Sequence, residues 1–503
     1  MTPTAIIEAA AARLAALLGP GGVHAAPALD VAGVRPGLEV FPADRDQLAA
    51  VLAVAGELGL SVCPAGGGTK LGWGAAPRSC DILLRTVPRA PASPSGGPGT
   101  PAPVPAAPDG PLYAVIEYDP ENLTLKAGVG ARVADLQALV AADGLMLPLD
   151  PPLPGAATLG GVVATNDHGP RRLRHGSLRD VVLGIEAVLA GGERIKAGGR
   201  TIKNVTGYDL TRLFVGSFGS LGVLSAITVR LLPRPECEAL AVVALPDMET
   251  AFRLMEPIWA SQLEPAALAL ISPGLRGLLP ERTADLLAAP EGMLALVVAA
   301  EGHPAAVGRH LREIAGFAGS PPTRVIDAPT EVQTVWSGLA ETRGLARRAG
   351  YGLEIKVTTS LSGTRPLLEA FDTESRAVWL ADLGCGTAAV WLRPGDGPAG
   401  GPDAEGPADT RSAGASAASP AVDLTADPAR EPAADGLVPL LTSLRACAVR
   451  GGGSLVIVRD DPCSAQGFDP WGGPPDGLDL MRRLKGRFDP AGLLNPGRNV
   501  GGI

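Results

Sequence analysis

Apolar residues recur at helical spacing over residues 43–60, "ADRDQLAAVLAVAGELGL", and Asp44 and Asp46 crowd the start. That pattern predicts a helix, followed by a short strand, "SVCPA", that runs into a glycine loop. Alternating or continuous apolar runs predict further strands at "CDILLRT" (80–86), "YAVIEY" (113–118), "LTLKAG" (123–128) and "VLSAITVRLLP" (223–233). Residues 131–144, "ARVADLQALVAADG", read as a helix stopped by glycine. Residues 180–198 read as a β-hairpin turning at Gly191-Gly192. The N-terminal "MTPTAIIEAAAARLAALLG" carries Glu8 and Arg13 inside its apolar run, which suits an amphipathic surface helix and not a signal peptide. Between Arg212 and Arg230 lie seventeen uncharged residues, broken repeatedly by Gly and Ser. They predict a helix end, a turn and a buried strand, and no integral membrane segment is expected.

Beyond Pro233-Arg234-Pro235 the pattern changes to strands such as "ALAVVALPD", "MLALVVAAEG", "LEIKVTTS" and "TAAVWLR", separated by helices such as "METAFRLMEPIWA" and "AVGRHLREIAGFA". This predicts a second, α+β unit built on an antiparallel sheet. The tail, "LDLMRRLKGRFDPAGLLNPGRNVGGI", reads as one basic helix with a solvated face and an extended end. Two stretches lack the large apolar residues that ordering requires: 88–111, with nine prolines, and the Pro/Gly/Ala/Asp-rich 394–436. Both are read as flexible surface insertions. The expected organisation is a first domain over 1–235, a second over 236–480, and a segment, 481–503, that returns to the first.

A chain of 503 residues is too long for one ordinary core, which agrees with that division. A net charge of −9 with no basic run longer than the cluster at Arg171, Arg172 and Arg174 argues against a nucleic-acid binder. The six cysteines contain no CxxC pair, so neither a disulfide framework nor a cysteine-held iron–sulfur cluster is expected. Residues 64–74, "PAGGGTKLGWG", follow a strand and could turn backbone N–H groups toward an anion, yet they are neither a GxGxxG fingerprint nor a Walker A loop. Two more glycine segments accompany them. One is "PGAATLGGVVATNDHGPRRLRHGSLRD" (154–180), with Thr158, Gly160 and Gly161; the other, within 198–224, repeats Gly216, Gly219 and Gly222 between a helix and a strand. Three glycine-rich strand ends in one domain fit a large extended cofactor better than a single phosphate.

These segments, together with the terminal "FDPAGLLNPGR" (488–498), resemble the FAD-binding domain and C-terminal signature of the vanillyl-alcohol-oxidase/PCMH flavoprotein family. Within it, "NDHGPRRLRHGSLRD" and "KNVTGYDLTRLFVGSFG" are most similar to the FAD-binding subunits of bacterial glycolate oxidases. The resemblance implies an α+β fold: a PCMH-type FAD-binding domain of two α/β subdomains, then an α+β cap with an antiparallel sheet. It implies that Ala65, Gly66, Gly67, Gly68 and Thr69 line the FAD pyrophosphate. Thr158, Leu159, Gly160 and Gly161, with Gly176 and Ser177, would hold the pyrophosphate and ribityl side. Gly216, Gly219, Gly222 and Val223 would surround the adenine and its ribose; Asn204 would contact FAD, and Asn495 and Arg498 would approach from the C-terminus. With no histidine in the first glycine loop, the flavin is expected to be non-covalent. The implied partners are a second flavoprotein subunit and an iron–sulfur subunit, in the cytoplasm or peripheral to the inner face of the membrane through those partners.

For the chemistry, oxidation of a 2-hydroxy acid by flavin needs a base for the hydroxyl proton and a cation for the carboxylate. His168 and His175 beside Arg172 are the candidates for those roles. The five histidines provide no metal ligand set in the second domain, so no metal is expected. Trp73 reads as a cover for a hydrophobic edge, and Trp336, Glu354 and Lys356 stand isolated in the sequence. Two readings follow: a subunit oxidising glycolate or a related D-2-hydroxy acid, or a non-catalytic FAD-binding scaffold. A stand-alone D-lactate-type dehydrogenase is the runner-up enzyme.

Overall fold

The computed structural model describes residues 3–25, 27, 29–88, 111–200, 209–319, 322–393, 437–459 and 467–503. The Pro-rich 88–111 apart from its two ends, the 394–436 tract and Asn204 lie outside the described residues.

The first helix predicted in the glycine-loop half spans Arg45–Leu58. The Asp44 side chain accepts from the Gln47 N–H at its start, and Gly59, at φ 66°, ends it in the left-handed conformation. Leu48, Val51, Leu52 and Ala55 bury one stripe of this helix against a four-stranded sheet in the order Val23–Ala25, Leu38–Val40, Ile82–Arg85, Val62–Ala65. The last three strands run parallel, so the glycine loop leaves the carboxyl end of an outer strand. The C-terminal tail closes beside that strand: the Val62 N–H donates to the Leu493 carbonyl at 2.8 Å and the Asn495 N–H to the Val62 carbonyl at 2.9 Å. Leu494 is thereby fully buried in the core of this layer.

A second sheet is wholly antiparallel, in the order Val115–Asp119, Thr124–Gly128, Val223–Arg230, Val182–Val188, Arg194–Gly198. Its central strand, Val223–Arg230, is the end of the long uncharged run, and seven of its eight residues are buried. The segment 154–180, read from sequence as a loop, contains instead a helix over Leu159–Thr165 and single helical turns at Arg172–His175 and Leu178–Val181. Sequence spacing concealed the first of these because two glycines sit in its opening turn. Packing offsets their poor helix propensity, since Leu159, Val162 and Val163 are buried against the second sheet.

The third layer is an eight-stranded antiparallel sheet in the order Arg324–Ile326, Cys237–Leu245, Leu294–Gly302, Ala267–Ile271, Ala377–Asp382, Thr387–Leu392, Leu353–Thr358, Ser454–Arg459. Alternation divides its side chains between two cores. Trp379, Leu270 and Ile355 pack with the helices Met248–Ala260, Leu361–Asp372 and Leu437–Arg450 on one face. Val378, Val297 and Trp391 pack under the helix Pro329–Ala340 on the other. No helix among the described residues is long and apolar enough to cross a membrane.

Candidate functional site

Three glycine segments and the tail meet around a cavity lined by residues 64–71, Thr158, Gly160, Gly161, Phe218, Gly219, Gly222, Val223, Asn495 and Arg498. The approach between segments is too close for a side chain. A Cβ on Gly66 would stand 2.1 Å from Thr158 Oγ1, and one on Gly67 would stand 1.8 Å from the Ala156 carbonyl oxygen. Thr158 caps the Leu159–Thr165 helix with its side chain, so the first two segments lock together at the cap. The third is tied to the same helix, its Gly216 and Phe218 N–H groups donating to the Val163 and Ala164 carbonyls at 3.0 and 2.8 Å.

Two tail side chains complete the cavity. Asn495 donates through Nδ2 to the Phe218 carbonyl, while its Oδ1 stays buried without a partner. Arg498 donates through one terminal nitrogen to the carbonyls of Lys70, Leu71 and Trp73 at 3.2, 2.7 and 3.1 Å, and its Nε is likewise orphaned. Buried polar atoms rarely stay unpaired, and here two of them border a cavity next to a glycine loop. Among the described residues the backbone N–H groups of Gly66, Gly67, Gly68 and Thr69 also have no acceptor. Bare loop N–H groups, close backbone approach and orphaned donors and acceptors suit an elongated polar ligand carrying a diphosphate. Replacing Gly67 by alanine is expected to cut bound flavin to below about a tenth of the parent content, because backbone cannot yield by 1 Å or more at a packed contact. The flavin-to-protein absorbance ratio after purification measures this, and near-parent content would refute the cradle.

Beside this cavity, a larger cleft runs between the second sheet's flank and the eight-stranded sheet. Its walls include Asp167, His168, Trp336, Arg343, Glu354, Lys356 and Asp382. A buried ion network separates the two spaces. Lys70 of the glycine loop meets Asp167 at 3.0 Å, Asp167 meets Arg343 at 3.2 Å, and Arg343 Nε donates to both Glu354 oxygens at 2.7 and 3.0 Å. Trp73 forms its aromatic floor, with Arg343 Cζ 5.2 Å, Lys356 Nζ 5.6 Å and Lys70 Nζ 6.0 Å from the ring centroid. Burial alone would raise the Asp167 carboxyl, but Lys70 and Arg343 overcome it and hold the group well below the usual carboxylate range. Lys356 is lowered by burial and by Arg343, Arg172 and Lys70, which outweigh the pull of Asp167. Three cations, Lys70, Arg343 and Lys356, thus face two carboxylates, and Lys356 makes no ion pair among the described residues.

The residues expected from sequence divide between these places. Ala65, Gly66, Gly67, Gly68, Thr69, Thr158, Gly160, Gly161, Gly219, Gly222, Val223, Asn495 and Arg498 line the first cavity. Leu159 is buried in the core behind it, while Gly176, Ser177 and Gly216 line neither space. Ser177 and Asp180 form a reciprocal cap on the turn Leu178–Val181. His168 lines the cleft, held down to about 3 by burial and by the charges of Lys356 and Arg172. His175 faces away, its Nε2 3.2 Å from the Glu301 carboxylate. Two sequence readings need revision. Lys485 is not on a solvated face: its ammonium donates to the Ser220 and Leu494 carbonyls and to Asp489 at 2.8, 2.7 and 2.6 Å, which pins the tail beside the third glycine segment. Glu354 and Lys356 are not isolated either, because the sheet carries them to the glycine loop. Their signal was two charges at alternate positions of "LEIKVT", an otherwise apolar strand inside a buried sheet.

Residues 110–198 match the FAD binding domain family, and residues 472–499 match the C-terminal domain of FAD linked oxidases. The chain is 31% identical over 236 residues to glycolate oxidase subunit GlcD of Bacillus subtilis, covering 47% of this chain and 45% of that one. It is 35% identical over 231 residues to D-lactate dehydrogenase of Archaeoglobus fulgidus, 46% of each chain. Over 122 residues it is 47% identical to glycolate oxidase subunit GlcE of Escherichia coli, 24% of this chain and 35% of that one. The chain thus spans about half the length, or less, of the curated relatives it matches. Its fold is similar to that of 4-ethylphenol oxidase from Gulosibacter chungangensis, with a TM-score of 0.63 at 14% identity over 98% of this chain and 97% of the other. It is also similar to alkyldihydroxyacetonephosphate synthase, with a TM-score of 0.64 at 14% identity over 97% and 85%. The glycine cradle draws residues from both matched segments, Thr158, Gly160 and Gly161 from the first and Asn495 and Arg498 from the second, and FAD is the cofactor that these matches and the orphaned polar atoms support.

Proposed function

We propose that this chain is an FAD-dependent oxidoreductase that converts glycolate or a related D-2-hydroxy acid to the 2-oxo acid. In this reading it holds FAD non-covalently and acts in the cytoplasm. It passes electrons to partner subunits of a glycolate oxidase-type complex, a second flavoprotein and an iron–sulfur protein. Residues 1–235 with 481–503 would hold the cofactor and 236–480 would form the cap. The likeness to two differently named glycolate oxidase subunits supports this assignment.

The carrying observation is the pairing of Lys356, a buried cation that makes no ion pair among the described residues, with His168, an imidazole held neutral, on the walls of one cleft. Bound flavin supplies the acceptor for the electrons that leave the substrate carbon. Lys356 supplies the cation for the substrate carboxylate, with Arg172 contributing charge nearby. His168 takes the hydroxyl proton on an imidazole nitrogen. Burial and the charges of Lys356 and Arg172 hold it at about 3, a weak base, and a substrate carboxylate placed against Lys356 cancels part of the charge repulsion. Basicity therefore rises when substrate arrives. The Ala65–Thr69 loop, Thr158 with Gly160 and Gly161, Gly219 to Val223, Asn495 and Arg498 hold the cofactor.

The test is an anaerobic titration of the flavin-loaded chain with glycolate and D-lactate, after showing that acid precipitation releases the flavin. Bleaching of the visible bands by either acid is the expected result. Full retention of the bands with both acids would reduce the chain to an FAD-binding scaffold.

A further inference from the structure

Glycolate fills very little of this cleft, and the floor of the cleft carries a second polar group that the reaction above does not use. Lys356 lies opposite Ala389, and Ala389 lies opposite Leu380, so the three form one row across neighbouring strands of the eight-stranded sheet. Asp382 stands two residues along from Leu380, on the same face, opposite Thr387. All of these residues line the cleft. Two strand spacings sideways and two residues along place the Lys356 and Asp382 Cα atoms about 12 Å apart.

Asp382 is 6% exposed, and among the described residues no cation stands within ion-pair distance of it. Its Oδ1 accepts the Gly384 N–H at 3.0 Å, and the Cys385 thiol and N–H also donate to this carboxyl, whose two oxygens still have a lone pair for a further donor. Burial raises Asp382 to about 6, which lets its carboxyl accept from or donate to a hydroxyl near neutrality. The short side chain of Ala389 and the apolar Leu380 leave the row between the two charged groups free of competing polar partners.

Side chains stand roughly perpendicular to the sheet, so the ammonium and the carboxyl are also separated laterally by about 12 Å; a five- or six-carbon open chain spans roughly 7–9 Å between its terminal oxygens, and a hydrogen bond of about 2.8 Å at each end gives it a reach of about 13–14 Å. We infer that Asp382 determines specificity for a longer, polyhydroxylated 2-hydroxy acid of five or six carbons, a sugar acid, by receiving its distal hydroxyl while Lys356 holds its carboxylate. This inference rests on the proposed hydroxy-acid oxidation.

The experiment measures dissociation constants by perturbation of the flavin spectrum of the loaded chain, using glycolate, D-gluconate and (R)-2-hydroxyhexanoate. D-Gluconate is expected to bind at least about tenfold more tightly than the other two, as one buried hydrogen bond to a carboxylate allows. In Asp382→Leu that ratio is expected to fall to about one, and Asp382→Asn, which keeps an acceptor oxygen, should retain part of it. Equal affinity for glycolate and D-gluconate in the parent overturns this inference alone. So does a gluconate preference that survives in both variants. Binding of none of the three acids overturns the hydroxy-acid reading together with it.

Discussion

Replacing Lys356 by methionine is expected to raise the KM for the 2-hydroxy acid by about 100-fold, and to leave the unfolding temperature unchanged or higher. The two halves of this prediction have one physical origin. Among the described residues the buried ammonium has no ion-pair partner, and it sits among Arg343, Arg172 and Lys70, so folding works against its charge. Methionine fills a similar volume and removes that cost. When substrate binds, the same ammonium becomes the partner of a desolvated carboxylate, and its loss leaves that carboxylate buried and unpaired. A purely structural lysine would show the reverse pattern, a lower unfolding temperature with an unchanged KM. Steady-state kinetics and a thermal melt on one preparation separate the two cases.

Replacing Asp167 by asparagine is expected to cost about 3–5 kcal/mol of stability and most of the bound flavin. One carboxylate here faces Lys70 at 3.0 Å and Arg343 at 3.2 Å, and asparagine would leave both cations buried with half their compensation gone. Lys70 belongs to the glycine loop and Arg343 lines the cleft, so the damage reaches the cofactor cradle and the cleft together. Removing a cation as well, in Asp167→Asn with Lys70→Met, should recover part of the loss, since a buried pair deleted as a unit costs far less than one partner alone. The pH dependence has a definite sign. The folded-state Asp167 carboxyl titrates below its unfolded value, so its stabilisation is complete above about pH 5 and is lost as pH falls through the depressed folded value. Acid unfolding of the parent should therefore release flavin in the same transition, and the asparagine variant should lose that part of the acid sensitivity. A melt within about a degree of the parent would show that the network does not support the fold.

The fold could be read largely from local signals. The Arg45–Leu58 helix announced itself by its spacing and its aspartate cap, and the strands at 182–188 and 223–230 by apolar runs between glycine turns. The helix at Leu159–Thr165 did not, because its glycines carry a weak intrinsic preference and only burial of Leu159, Val162 and Val163 makes it form. Of the candidate catalytic groups, His168 and His175 look equivalent in the sequence, seven residues apart in one basic segment. The turn at Arg172–His175 directs them to different places, one to the cleft and one to Glu301.

The sequence by itself determined that three glycine segments lie in the first half of the chain, that the tail carries a matching signature, and that FAD is the cofactor they imply. Those properties depend on short-range chemistry: bare backbone, left-handed turns and caps act over a few residues and leave a local mark. The tertiary structure alone decided which charges meet. Lys70, Asp167, Arg343, Glu354 and Lys356 come from widely separated segments, and their proximity depends on the register of an eight-stranded sheet and its seating against the glycine loop. Electrostatic interaction at 3 Å in a buried site is strong enough to set protonation and affinity, yet it leaves no periodicity along the chain, because it follows distance in space and not separation in sequence.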